Sequence, residues 1–234
     1  MDLTAETRHG IWDPPDESLL QPGGEGELII SRFRSILTVA GWGIALWAAY
    51  RNPFSESARI YQLFATVAAA SSLTLHLVVN RIHFGWWLGF LTSITDVTLI
   101  SGGILALVLA GYADHALNGS VLYPVYFFAL AATMIRLDHR ACLAAGLAAA
   151  FEYLAILGVA GLQYGWSGPH LDPEGQAVRL VLLGGMAALG VVVNRRMQAP
   201  HVLSANDSLT GVLNRRSFEE RWDSELARAR RYGR

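Results

Sequence analysis

Apolar residues in this chain do not alternate with polar ones; they run in long blocks. Six blocks approach or exceed the ~18 residues that carry a helix across a bilayer. They predict helices over roughly Ser35–Tyr50, Ile60–Asn80, Gly85–Ala110, Val121–Ile135, Ala141–Leu162 and Ala177–Asn194. The first and fourth are short for a hydrocarbon core about 30 Å thick, so flanking Ile29, Ile30 and Phe33 are expected to lengthen the first. Trp42, Trp47, Trp86, Trp87 and Trp166 lie in or near the blocks, and those near block ends suit the interfacial belt. The connections Arg51–Arg59, Gly111–Ser120 and Gln163–Gln176 read as loops on one side. The last carries Gly-Pro and Asp-Pro pairs and is turn-rich. None is long enough for a separate ligand-binding domain, so a sensory site would sit among the helices.

Inside the blocks, small and polar residues recur at helical spacing. The second block has Ala65, Ala69, Ser72, His76 and Asn80. The third has Gly85, Gly89, Thr92 or Ser93, Asp96 and Gly103. The fifth has Ala141, Ala145, Ala148 or Ala149, Glu152 and Ala155. Small residues let helix backbones approach closely in lipid, so these stripes are the expected packing faces. The fourth block opens on Tyr123, Pro124, Tyr126, Phe127 and Phe128, which suits an outer-leaflet binding pocket or, more plainly, an interfacial belt.

Composition agrees with a membrane protein. The chain is 53% hydrophobic and 16% charged, against about a quarter charged in a soluble domain. The net charge of -1 hides an asymmetry. Residues 1–31 are acidic, with Arg8 as the sole base, and 204–234 are rich in arginine. The 18 basic residues are all Arg, which reads as genomic bias. The acidic, Pro- and Gly-containing start is not a cleavable signal peptide, which would begin basic and turn apolar within a few residues. It is expected to be a disordered tail over 1–31. Cys142 is the single cysteine, so no internal disulfide forms.

The arginines predict orientation. Arg32, Arg34, Arg81, Arg136, Arg140, Arg195 and Arg196 flank one set of block ends; Arg51, Arg59 and Arg179 flank the other. The positive-inside rule makes the first set cytoplasmic, and with it both termini.

Three ionisable residues, His76, Asp96 and Glu152, fall inside the blocks, where such groups are costly and usually face the bundle interior. Asp96 and Glu152 each follow their block's start by eleven residues. At 1.5 Å per residue both lie about 16 Å deep, near the midplane. If their helices are neighbours they can share a proton or a polar ligand. Packing acids bonded to neighbouring hydroxyls are the plain alternative. No second His stands at ligand spacing to His76, which argues against a metal there. His115, His139 and His170 read as surface loop residues. Arg179 is expected to snorkel or to meet Asp172 or Glu174.

Beyond the sixth block, Pro200 is expected to stop the helix, leaving 197–206 as a linker. Asn214 then suits an N-cap, and Phe218, Trp222 and Leu226 give the following helix one apolar face. The residues Asp207-Ser208-Leu209-Thr210-Gly211-Val212-Leu213-Asn214-Arg215-Arg216-Ser217-Phe218 form D-x-L-T-G-x-x-N-R-R-x-F. This run resembles the opening of a GGDEF domain, the catalytic module of bacterial diguanylate cyclases. Leu203, Asp207, Leu209, Thr210, Gly211, Asn214, Arg215, Arg216 and Phe218 carry the resemblance, with Val212 where the family usually has Leu.

The apolar blocks predict an all-α fold of six transmembrane helices over 32–196, and the resemblance adds at 207–234 the first turn and helix of a truncated α/β domain. It also implies that the chain ends at Arg234 before any catalytic residue, so that GTP and Mg are bound downstream. The implied function is the sensory and anchoring part of a cyclase that makes cyclic di-GMP from two GTP. The implied setting is the bacterial inner membrane, with a homodimer bringing two output domains together. Partners are then the lipid bilayer and a small-molecule signal among the helices, not nucleic acid. A non-catalytic receptor or anchor with a degenerate output domain is the alternative. A small transporter is a third reading, resting on Asp96 and Glu152 alone, and it lacks the paired broken helices of transporter halves.

Overall fold

The blocks become helices because a chain in lipid must satisfy every backbone group internally. The computed structural model describes residues 19–81, 85–119, 121–166 and 171–205, and isolated positions between 210 and 229. The helices are α1 (Leu20–Arg51), α2 (Glu56–Arg81), α3 (Trp86–Leu109), α4 (Ala113–Leu117), α5 (Leu122–Ile135), α6 (His139–Tyr164) and α7 (Pro173–Ala205). Six stretches are long and apolar enough to cross a membrane: Pro22–Arg51, Glu56–Arg81, Trp86–Leu109, Ala113–Ile135, His139–Tyr164 and Pro173–Gln198. This is a multi-pass, all-α membrane architecture.

Three boundaries differ from the sequence pattern. α1 begins at Leu20, so residues 20–31 are helical rather than a loose tail. Pro22 falls in the first turn, where backbone N–H groups have no helical acceptor to lose. Leu19, Glu27 and Ile30 are buried, so tertiary contacts hold this polar stretch in place. α7 runs through Pro200 to Ala205, which removes the linker expected over most of 197–206. A proline costs the helix one backbone bond and a local clash, and the helix continues past it. The loop expected at 111–120 contains α4. Ala113, Ala116 and Leu117, spaced as one helical face, are almost fully buried there.

α3 is the central helix. It packs on α5 and α6, and both pack on α7. The core runs through Val97, Ile104, Leu107, Tyr126, Leu130, Ala145, Ala149, Tyr153 and Leu183. α1 packs chiefly on α2, and this pair meets the other helices through α2–α3 and a short α1–α5 contact. Gly103 is one reason for the α2–α3 contact: a Cβ there would sit 2.7 Å from the Phe64 ring.

Gly146 does the same for α6 and α7, since a Cβ at this position would overlap the Cβ of Ala187. Gly146→Val should therefore lower stability by about 1–3 kcal/mol, the usual cost of overpacking. Thermal unfolding in micelles reads the loss, and an unchanged transition would mean that α6 and α7 are not in close contact.

Candidate functional site

The end of the bundle that carries the start of α1 and the end of α7 holds a buried charged cluster. α1 supplies it through a polar face: Glu27, Ser31, Arg34 and Thr38 follow one another at three- and four-residue spacing. α1 approaches the end of α5 closely at Gly26, whose missing side chain leaves room for the Ile135 carbonyl. Glu27 Oε2 accepts a 2.5 Å bond from Nε of Arg136, just past α5. One turn pair further along α1, Arg34 Nη1 donates to both carboxylate oxygens of Asp96 on α3, at 3.0 and 3.1 Å. Arg136 Nη2 lies 3.7 Å from the Asp96 carboxylate and joins the two pairs.

Burial is what makes this cluster unusual. The Glu27 and Arg136 side chains are 0% and 1% exposed, and Arg34 and Asp96 are 10% and 11%. Two guanidiniums and two carboxylates balance in charge, as a low-dielectric site requires. Hydrogen bonding does not balance. Among the described residues, Glu27 Oε1, Arg34 Nε and Nη2, and Arg136 Nη1 and Nη2 are buried with no hydrogen-bond partner. Each such group costs roughly 1–3 kcal/mol.

His76 lies beside this cluster. Its Nδ1 is 3.0 Å from Ser31 Oγ, and its Nε2 is 3.0 Å from Asn80 Nδ2. It belongs to a polar ladder joining α1 to α2, with Ser35 Oγ 3.2 Å from Ser72 Oγ and Trp42 Nε1 donating to Thr66 Oγ1 at 3.1 Å. Hydrogen bonds and small residues are the main forces between helices in lipid, so this ladder makes α1 and α2 one unit. Among the described residues no group of three His, Cys, Asp or Glu is placed to hold a metal ion.

Glu152 lies elsewhere. Its carboxylate accepts from Thr98 Oγ1 at 2.7 Å and from Ser101 Oγ at 2.5 Å, and Ser101 is 2.7 Å from the Tyr126 hydroxyl. The expected pairing of Asp96 with Glu152 therefore does not form. α3 and α6 are neighbours, as that pairing needed. However, Asp96 precedes Thr98 by two residues, about 200° around a helix, and so faces α1 and α5 instead. The buried stripe of α6 follows the expected one through Ala141, Ala145 and Ala149 and then passes to Tyr153, Ile156 and Ala160, leaving Glu152 at its edge.

The opposite end of the bundle carries a second polar network, and this one is well satisfied. Arg179 does not meet Asp172 or Glu174. It donates to the carbonyls of Leu117 and Asn118 at the end of α4 and to the Tyr153 hydroxyl at 3.3 Å. A cation at a helix C-terminus is favourably placed against the carbonyls left free there. Gln176 donates to Asn118 Oδ1 and accepts from Tyr153. Tyr123, Tyr126 and Tyr153 pack ring against ring within this network, so the two tyrosines of the aromatic start are core, while Phe128 stays exposed on the outside of the bundle. Complete satisfaction marks a structural network, whereas unpaired buried donors mark the Glu27–Arg136–Asp96–Arg34 cluster as the candidate site.

α7 reaches the same corner as the cluster. Asn194 Nδ2 donates to Met134 O at 3.0 Å, and Gln198 Nε2 donates to Leu137 O at 2.7 Å and to Asn194 Oδ1 at 2.8 Å. Leu137, between α5 and α6, has φ 55° and is the one non-glycine with positive φ among the described residues. Such a backbone costs of order 1 kcal/mol or more and persists only where its surroundings hold it. Asp138 then caps α6 by accepting from the Arg140 backbone N–H and holds the Arg140 side chain. His139 is buried at the start of α6, with Nδ1 3.5 Å from Gln198, rather than on a surface loop; His115, in α4, meets the Tyr61 ring edge-on.

Of the residues in the 207–218 run, Asp207, Ser208, Leu209, Gly211, Leu213, Arg216 and Ser217 lie outside the described residues, as does His170. Asn214 accepts from the Phe218 backbone at 2.9 Å, Arg215 pairs with Glu219 at 2.8 Å, and Phe218 stacks on Trp222. These contacts describe the helix expected after Asn214.

Neither Glu27 nor Arg136 stands out in the sequence as a site residue. Glu27 lies in an acidic, Pro- and Gly-containing stretch, and Arg136 resembles any arginine at the end of a span. The one usable signal was that Glu27, Ser31, Arg34 and Thr38 share a helical face. No protein-family model matches this chain, and neither a curated protein nor a solved structure does.

Proposed function

We propose that this chain is the membrane-integral sensory and anchoring portion of a diguanylate cyclase. The observation that carries the reading is the D-x-L-T-G-x-x-N-R-R-x-F run at 207–218. Support comes from α7, which continues without a break to Ala205, two residues before Asp207. The last transmembrane helix and the proposed output domain are thus joined almost directly. In this reading the protein lies in the bacterial inner membrane with both termini cytoplasmic, as the arginine distribution favours. It works as a homodimer, and GTP and Mg are bound by residues beyond Arg234. Asp207, Leu209, Thr210, Gly211, Asn214, Arg215 and Arg216 form the opening of the output domain, and none of them is a catalytic residue.

Two experiments test it. The reading frame continued past Arg234 should encode the family's metal-binding acids and signature loop. Membranes containing that longer product should convert GTP to cyclic di-GMP, while residues 1–234 alone should not. Saturable GTP binding by 1–234 would show the active site to be misplaced. Orientation is read separately. Single cysteines at Phe54, Gly119 and Asp172 should react with an impermeant maleimide from the periplasm, and those at Ala5 and Asn206 only after permeabilisation. Periplasmic labelling at Asn206 would overturn both the orientation and the cyclase reading.

A further inference from the structure

We infer that the Glu27–Arg136–Asp96–Arg34 cluster is a latch, and that its opening moves the end of α7. The α1–α2 pair is fastened to the other helices in two chemically different ways. Away from the chain termini the contacts are ordinary packing and one tyrosine–carboxylate bond, with no ion pair between the two groups of helices among the described residues. Phe64 lies on Gly103, Tyr61 meets His115 edge-on with ring centroids 5.8 Å apart, and Tyr112 donates to Glu56 at 3.2 Å. At the terminal end the fastening is the four-charge cluster. Glu27 and Arg34 belong to the moving pair, and Asp96 and Arg136 to the helices it docks on.

Those two fastenings behave differently. Packed apolar contacts gain nothing by separating. The cluster holds five polar atoms that are buried and make no hydrogen bond. Moving the end of α1 away lets water reach them, and recovered hydration offsets part of the lost ion pairing. Two arrangements of comparable free energy result, closed with the charges paired and open with them hydrated. The packed end acts as the hinge. A two-arrangement element of this kind is what a signal can bias.

Arg136 connects the latch to α7. It follows directly on α5, and the next residue is the left-handed Leu137, whose carbonyl is held by Gln198. On the same corner, Asn194, fully buried, holds Met134 O. Arg136 is therefore gripped by α1 on one side, and the backbone around it by α7 on the other. When Glu27 releases Arg136, the strained corner is free to relax, and Gln198 and Asn194 carry that change to the last turns of α7. Use of this movement as a signal rests on reading 207–218 as an output segment. The movement itself does not.

Spin labels on the chain reconstituted in nanodiscs test the latch and the relay separately. With Cys142→Ser as background, a pair at Ile29 and Ile135 reports the α1–α5 separation, and a single label at Met197 reports the end of α7. All three positions are partly exposed. Glu27→Gln should lengthen the Ile29–Ile135 distance and make the Met197 label more mobile. Glu27→Gln with Arg136→Gln, which leaves no unpaired charge between α1 and α5, should do the same and guards against misfolding of the single variant. Adding Gln198→Ala should leave the long distance but abolish the further response of Met197 to Glu27→Gln. Glu152→Gln should change neither reading. An unchanged Ile29–Ile135 distance in both latch variants would overturn the latch. A changed distance with an unchanged Met197 spectrum would overturn the relay. None of these readings involves cyclic di-GMP, so they stand or fall apart from the cyclase proposal.

Discussion

Arg136→Ala is expected to lower the unfolding free energy by about 3–5 kcal/mol, the loss seen when one member of a buried ion pair is removed. The reason is the state left behind more than the bond lost. Glu27 is 0% exposed and its carboxylate is paired with Arg136, so the truncation leaves a buried carboxylate without a counter-ion. Replacing both residues, Glu27→Leu with Arg136→Met, should recover most of the loss, because the charge and its partner disappear together. Arg136→Lys should recover little, since an ammonium cannot reach both Glu27 and Asp96 as the planar guanidinium does. Denaturant titration in mixed micelles measures all three. Equal stability of Arg136→Ala and the double replacement would mean that Glu27 is hydrated and the cluster is not a buried ion pair.

Asp96→Ala should cost roughly 2–3 kcal/mol, somewhat less because Arg34 keeps a tenth of its surface exposed. Glu152→Gln should cost about 1 kcal/mol, since an amide still accepts from Thr98 or Ser101. The informative quantity is their sum. The two acids have no common partner, so the double variant should be additive within about 0.5 kcal/mol. Asp96→Ala combined with Glu27→Gln should not be additive, because Arg136 contacts both acids. The reverse pattern, coupling between Asp96 and Glu152, would restore the shared mid-membrane site that their equal depth suggested.

The contrast between these acids shows how far the sequence could be read. Block length and hydropathy were enough for six membrane helices, because a bilayer imposes one minimum length on every span. The small-residue stripe of α2 was legible too: Ala69 and Ser72 are buried, and Ser72 and His76 face α1. Position along a helix could be counted. Direction around it could not, because two residues reverse a side chain's heading, and the neighbour on each face is set by packing. Glu27 shows the other limit. Its stretch looks polar and loose because the compensating charge lies 109 residues away. Pro200 misled for another reason: a breaker sets only a local cost, and α7 continues past it to Ala205.

That long separation also bears on how the protein is made. α1 leaves the ribosome first, with Glu27 and Arg34 on one face, and Asp96 follows Arg34 by 62 residues and Arg136 follows Glu27 by 109. A helix that enters lipid alone with two unmatched charges meets a steep insertion barrier. The α1–α2 hairpin is therefore expected to wait at the aqueous margin of the translocation machinery until α3 and α5 have been synthesised. α1 would then be made before the six helices that follow it but be last to settle. Nascent chains arrested after α2 should remain extractable by alkaline carbonate, and chains arrested after α5 should resist it.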